Sequence, residues 1–96
     1  MKTKEWRALI KQLRREFPVD SPVEVRRCSC NNYSGITRFN GKKYYIRINS
    51  NQQNRDLIDT LIHEWSHVLT IESAYHHDLH WRMVYYGLKN NFLRKR

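Results

Sequence analysis

The sequence predicts a single α+β domain: an N-terminal helix, a sheet of two or three antiparallel strands, and two further helices. Three observations carry this reading. Trp6, Leu9, Ile10, Leu13 and Phe17 recur at helical spacing. The period then drops to two through "VEVRRCSC", "GITRFN" and "KKYYIRIN", which are rich in β-formers. A 3.6 period returns over Leu57, Ile58, Leu61, Ile62, Trp65, Val68 and Leu69, and again over Trp81, Val84, Tyr85, Leu88 and Phe92.

The first helix spans about residues 3–16. It ends at "FPVDSP", because Pro18 disfavours helical backbone at the residue before it. Turn residues in "NNYSG" and at Asn40-Gly41 separate the strands, and an Asn-Gly pair between apolar runs is a strong hairpin signal. In the last strand Tyr44, Ile46 and Ile48 share one face, and Tyr45, Arg47 and Asn49 share the other. The polar stretch "NSNQQN" leads into a helix from about Arg55. A short loop around "ESAYHH" precedes the final helix, which starts at about Asp78 with its apolar stripe turned inward.

Ninety-six residues make one domain with a small core. A chain that is 40% hydrophobic and 12% aromatic is too apolar to remain disordered. The net charge of +9 is spread from Lys2 to Arg96 and fits equally a polyanionic partner, most directly nucleic acid such as DNA, and a basic surface that serves solubility alone. No apolar run is long enough to span a membrane. The first residues, "MKTKEWRALIKQLRREF", lack the uninterrupted apolar region of a secretory signal. Cys28 and Cys30 are too close for an unstrained disulfide and read as reduced packing residues, so a cytoplasmic location is expected.

The chemistry concentrates in "LIHEWSHVL", where His63, Glu64 and His67 form H-E-x-x-H. Histidines four apart on a helix stand above one another on one face and can hold a single Zn²⁺. Glu64, rotated by about 100°, flanks the open side of such an ion, where the general base for an activated water belongs. The motif sits on a strongly periodic helix whose apolar flank would leave unpartnered histidines poorly satisfied.

A catalytic zinc takes three protein ligands. The metzincin spacing would need His at position 73, which is Ser73, and Glu72 lies too near the motif to act as a thermolysin-like ligand. His76, His77 and His80 remain. Helical phase favours His77, four residues before Trp81 and seven before Val84, at the head of the stripe that must pack near the motif helix. His76 is turned about 100° away. His80, one turn on, is a candidate outer group or a donor to the reaction intermediate.

"HEWSH" followed by "HDLHW" resembles the SprT-like zinc peptidases and is similar to the WLM peptidases, in which the third histidine precedes Asp and an aromatic follows four residues after it. The resemblance covers about residues 43–92. It implies a minimal zincin-like domain in which His77 is the third ligand and Trp81 the aromatic, acting on protein or peptide substrates. It also implies kinship with Spartan, the DNA–protein crosslink protease, and a size common among phage-encoded proteins. The chain departs from the SprT pattern in having Asp78 where that family has Gly, and its two cysteines lie upstream of the motif rather than in a zinc ribbon after it.

Asp59, one turn before His63, is a candidate to orient a ligand imidazole, although the favoured reading is an early-helix acid that complements the helix dipole. Tyr75, Tyr85, Tyr86 and His80 are candidates to stabilise an oxyanion. The strand "YYIRIN", with Tyr45 and Arg47, is a candidate edge for pairing with extended substrate. The expected activity is therefore zinc-dependent peptide hydrolysis. Two competing readings are a basic nucleic-acid-binding module with a structural or silent zinc, and another metallohydrolase built on the same helix.

Overall fold

The structure, a computed structural model, describes residues 1–29, 32–70 and 79–94, with side chains as far as residue 91. Six elements follow in chain order: α1 (Thr3–Glu16), β1 (Val23–Cys28), β2 (Gly35–Phe39), β3 (Tyr44–Asn49), α2 (Asn54–Leu69) and α3 (Leu79–Arg94). The order and nearly all boundaries agree with the sequence periodicity. The loop expected around 72–77 lies outside the described residues, as do Cys30 and the side chain of Phe92.

α1 buries the stripe Trp6, Leu9, Ile10 and Leu13. Its C-terminus is tied to the rest of the fold at two points. Arg14 Nη2 donates to the Val23 carbonyl at 2.6 Å, and Trp65 Nε1 donates to the Phe17 carbonyl at 3.0 Å. The second bond satisfies the only polar atom of a fully buried indole, so Trp65 anchors the core without a desolvation penalty. Truncating it to Ala costs about 3–5 kcal/mol.

The sheet corrects one expectation. The strand order is β1-β3-β2, with β2 antiparallel to β3 but β1 parallel to β3, so the sheet is mixed. Period-two patterning assigns faces to a strand but carries no information about its direction. β3 has the most apolar inner face, and the centre buries it under neighbours on both sides: Tyr44, Ile46 and Ile48 are all buried. Cys28 pairs with Asn49, and Gly35 with Ile48. The end of β1 and the start of β2 thus lie at the same end of β3, close enough for a short connection. The Asn40-Gly41 hairpin forms as expected. Gly41 adopts φ 93°, which suits glycine, and Asn40 Oδ1 accepts from the Lys42 and Lys43 amides at 2.9 and 2.8 Å.

A second correction follows. Tyr45 and Arg47 were candidates for a substrate-pairing edge, yet β3 is the central strand, paired on both sides, and offers no free backbone for a substrate strand. The inner face carries Val23, Val25 and Arg27 from β1, the three apolar β3 residues, and Gly35, Thr37 and Phe39 from β2. α1 and α2 pack on that face, and α3 packs on α2. Arg27, the one charge on the inner face, lies over the Trp6 ring at 5.1 Å and donates to the Met1 carbonyl at 2.9 Å. No helix among the described residues is long and apolar enough to cross a membrane.

Candidate metal centre

α2 presents its apolar stripe to the sheet and turns His63 and His67 toward α3. The two Nε2 atoms converge to 3.2 Å, with ring centroids 4.9 Å apart. Two nitrogens each about 2.0–2.1 Å from a tetrahedral ion stand about 3.3–3.4 Å apart, so the pair has the bite that a zinc-like cation requires. With Glu64 they form a group whose ligand atoms lie within 4.8 Å of one another, able to hold a metal ion.

Glu64 is the buried member of the group. Its residue is 6% exposed, and its Oε2 lies 3.8 Å from His63 Nε2. Across the helix–sheet interface, Thr37 Oγ1 donates to Glu64 Oε1 at 2.8 Å and lies 3.3 Å from the Glu64 carbonyl oxygen. Burial pushes the Glu64 carboxyl above its ordinary pKa, and the Thr37 hydrogen bond pulls in the opposite direction without cancelling the shift. One carboxylate oxygen is therefore fixed to the sheet, while the other faces the imidazoles. That division suits a proton acceptor held beside a metal.

Gly35 makes this contact reachable. A Cβ there would come within 2.6 Å of Thr60 Cγ2 and 3.0 Å of Glu64 Cγ, so α2 lies over β2 closer than any larger residue permits. The register then places Thr37, two residues on and on the same face, against Glu64. Neither Gly35 nor Thr37 was singled out by the sequence. Period two places both on the inner face of β2, but only the packing of α2 shows what they meet.

α3 closes the site with aromatic surface. The buried Trp81 ring lies 4.8 Å from the His63 ring and 5.3 Å from the His67 ring, and it stacks on Tyr85 at 4.9 Å and 9°. Tyr85 in turn meets His63 at 5.9 Å. The residue marked by the family resemblance as the following aromatic thus packs against both histidines.

The remaining candidates are dispersed. Asp59, a candidate to orient a ligand imidazole, makes its bonds among the described residues to α3 instead. It accepts a hydrogen bond from the Tyr85 hydroxyl and forms an ion pair with Lys89 Nζ at 3.3 Å. Burial and the Asp59 carboxylate raise the Tyr85 pKa, so the phenol stays protonated as a donor. Lys89 completes the cluster, with Nζ 3.4 Å from the Tyr85 hydroxyl. His80 is exposed on the first turn of α3 and is not in the His63–Glu64–His67 group. Tyr86 is also exposed, whereas His76, His77, Glu72 and Tyr75 lie outside the described residues.

No family model matches the chain, and neither a curated protein nor a solved structure is detectably similar to it. The functional reading therefore rests on the chemistry of the site.

Proposed function

We propose that the protein is a zinc-dependent peptidase of SprT-like or WLM-like character. The observation that carries this reading is a pair of converging imidazoles beside a buried, sheet-anchored glutamate. His63 and His67 supply two ligands. His77 is the candidate third, because it stands four residues before Trp81, whose ring packs on both. When bound, the ion supplies Lewis acidity toward a water and the scissile carbonyl. Glu64 accepts the proton of the attacking water on the oxygen that faces the imidazoles, and Thr37 keeps the other oxygen in place. Desolvation raises the basicity of Glu64 toward the range useful near neutral pH. The Trp81 and Tyr85 rings wall the histidines on the α3 side and limit water there.

The test pairs metal content with turnover. Wild type should bind one zinc per chain and cleave an unstructured protein such as casein. Glu64→Gln should keep the zinc and lose cleavage by about 10²-fold or more. Equal cleavage by the two would refute Glu64 as base, and failure of wild type to retain zinc would refute the metal site. Among His76→Ala, His77→Ala and His80→Ala, only His77→Ala should lower zinc affinity strongly.

A further inference from the structure

We propose that the open face of the sheet, opposite the helices, binds single-stranded nucleic acid. The register places Glu24 and Arg26 of β1, Tyr45 and Arg47 of β3, and Ile36 and Arg38 of β2 on this face. All three helices lie on the other side, so no described element covers it. A groove of about 380 Å³ runs across it, lined by Tyr33, Ile36, Arg38, Tyr45 and Arg47. That volume lies in the range of small-ligand sites, about 300–1,000 Å³, and is sufficient for a splayed base.

Charge selects the class of occupant. Arg26, Arg38, Arg47 and the adjacent Lys43 face a single carboxylate, Glu24. Glu24 gathers three of the four: Arg26 at 3.3 Å, Lys43 at 3.4 Å and Arg47 at 3.2 Å. Arg38 is exposed and carries no ion pair among the described residues. Such a surface repels a second copy of itself and attracts a polyanion. The aromatics select the form of the polyanion. Tyr45 lies between Lys43 and Arg47, whose charges sit 5.2 and 5.6 Å from its ring centroid. Tyr33 also lines the groove. Phenol rings and guanidinium planes alternating with cations are stacking partners for unpaired bases and contacts for the backbone that links them. A duplex hides its base faces and leaves these rings nothing to stack on.

The inference is independent of the peptidase reading, because it uses neither the metal nor Glu64. It is tested by fluorescence anisotropy with a labelled oligothymidylate of about 12 nucleotides and the corresponding duplex. Wild type should bind the single strand more tightly than the duplex, with affinity falling as salt rises. Tyr45→Leu should weaken binding by about 5- to 100-fold while Tyr45→Phe restores it. Arg38→Gln should weaken binding and reduce the salt slope by about one. Arg7→Gln and Arg15→Gln, exposed on α1, remove the same charge away from this face and should change affinity less than about 2-fold. Glu64→Gln should bind as wild type does. The proposal is overturned by absence of binding at low salt, by equal or tighter duplex binding, or by equal losses in the Arg38 and α1 variants. It is also overturned if Tyr45→Leu, folded as judged by its melting curve, binds normally. Anionic vesicles or an acidic peptide displacing the oligonucleotide at equal charge concentration would assign the face to generic anion binding and likewise overturn it.

Discussion

Gly35→Ala should destabilise the protein, although Gly→Ala in a strand usually does the reverse. Removing glycine's freedom in the unfolded chain stabilises by about 0.4–1 kcal/mol where the backbone tolerates it. Here the new methyl would lie 2.6 Å from Thr60 Cγ2, 3.0 Å from Glu64 Cγ and 3.3 Å from Ile48 Cδ1, against a comfortable carbon–carbon separation of about 3.5–4.0 Å. Thr60 and Glu64 are one turn apart on α2, so no single rotamer change relieves both contacts, and the helix must lift off the sheet. Overpacking of this kind costs about 1–3 kcal/mol, leaving a net loss of up to about 2.6 kcal/mol and about 1.3 kcal/mol at mid-range. In a chain of this length a loss of about 1.3 kcal/mol lowers Tm by about 5–10 °C. Calorimetry of wild type, Gly35→Ala, Thr60→Ser and the double variant measures the effect. Thr60→Ser removes the offending methyl and keeps the hydroxyl that donates to Gln52 Oε1 at 3.0 Å, so the double variant should regain about half the loss or more. A neutral or stabilising Gly35→Ala, or a double variant that loses the sum of the single effects, would refute the close approach of α2 to β2.

Two further outcomes follow from the site. In metal-free protein, Glu64→Gln should raise Tm at about pH 7, because it removes the cost of keeping a carboxylate buried. The folded-state pKa of Glu64 lies above its unfolded value, so its stabilising contribution is full below the unfolded pKa and is lost as pH rises through the folded pKa. The advantage of Gln should accordingly shrink toward about pH 4, and pH-dependent melts in chelator check this. Tyr85→Phe keeps the ring against Trp81 and His63 but deletes the hydroxyl on Asp59, so it should cost about 0.5–1.5 kcal/mol of stability. Zinc affinity should change less than about 3-fold, because Asp59 is bonded to α3; a loss of 10-fold or more would place the Asp59–Tyr85 pair among the groups that tune the ligands.

The helices were legible because their apolar stripes are long and of one period. Trp6 to Leu13 and Leu57 to Val68 are the buried faces that periodicity marks. The faces of β3 were legible for the same reason, with Tyr44, Ile46 and Ile48 in and Tyr45, Arg47 and Asn49 out. Strand direction was not, because an alternating pattern reads the same beside a parallel or an antiparallel partner. That lost distinction carried the error about Tyr45 and Arg47, which looked like edge residues only in a meander. At the site, the convergence of His63 and His67 follows from their spacing within one helix. What surrounds them was legible only in part: phase and the family resemblance mark Trp81, whereas Gly35 and Thr37 meet Glu64 from β2, and contacts of that sequence separation leave no local signature. Asp59 illustrates the limit: its phase relative to His63 is right, yet a phenol and an ammonium from α3 claim its carboxylate.

Glu64 contradicts the logic by which the rest of the core is built. Its neighbours Trp65 and Ser66 are fully buried and internally satisfied, through Phe17 and Ile62 respectively, and the stripe around them is apolar. A carboxyl placed among them is desolvated, and Thr37 answers only one of its two oxygens while the other is aimed at an imidazole. Glutamine at this position would avoid burying a charge, so packing alone favours it over glutamate. The arrangement nevertheless costs the chain more than this one side chain, because the approach that brings Thr37 to Glu64 also requires glycine at position 35. A local cost shared between two elements is intelligible where the group must be both basic and immobile. The proposed role of Glu64 as a proton acceptor beside two converging imidazoles asks for that combination: Thr37 holds one oxygen still, and the other stays beside the histidines.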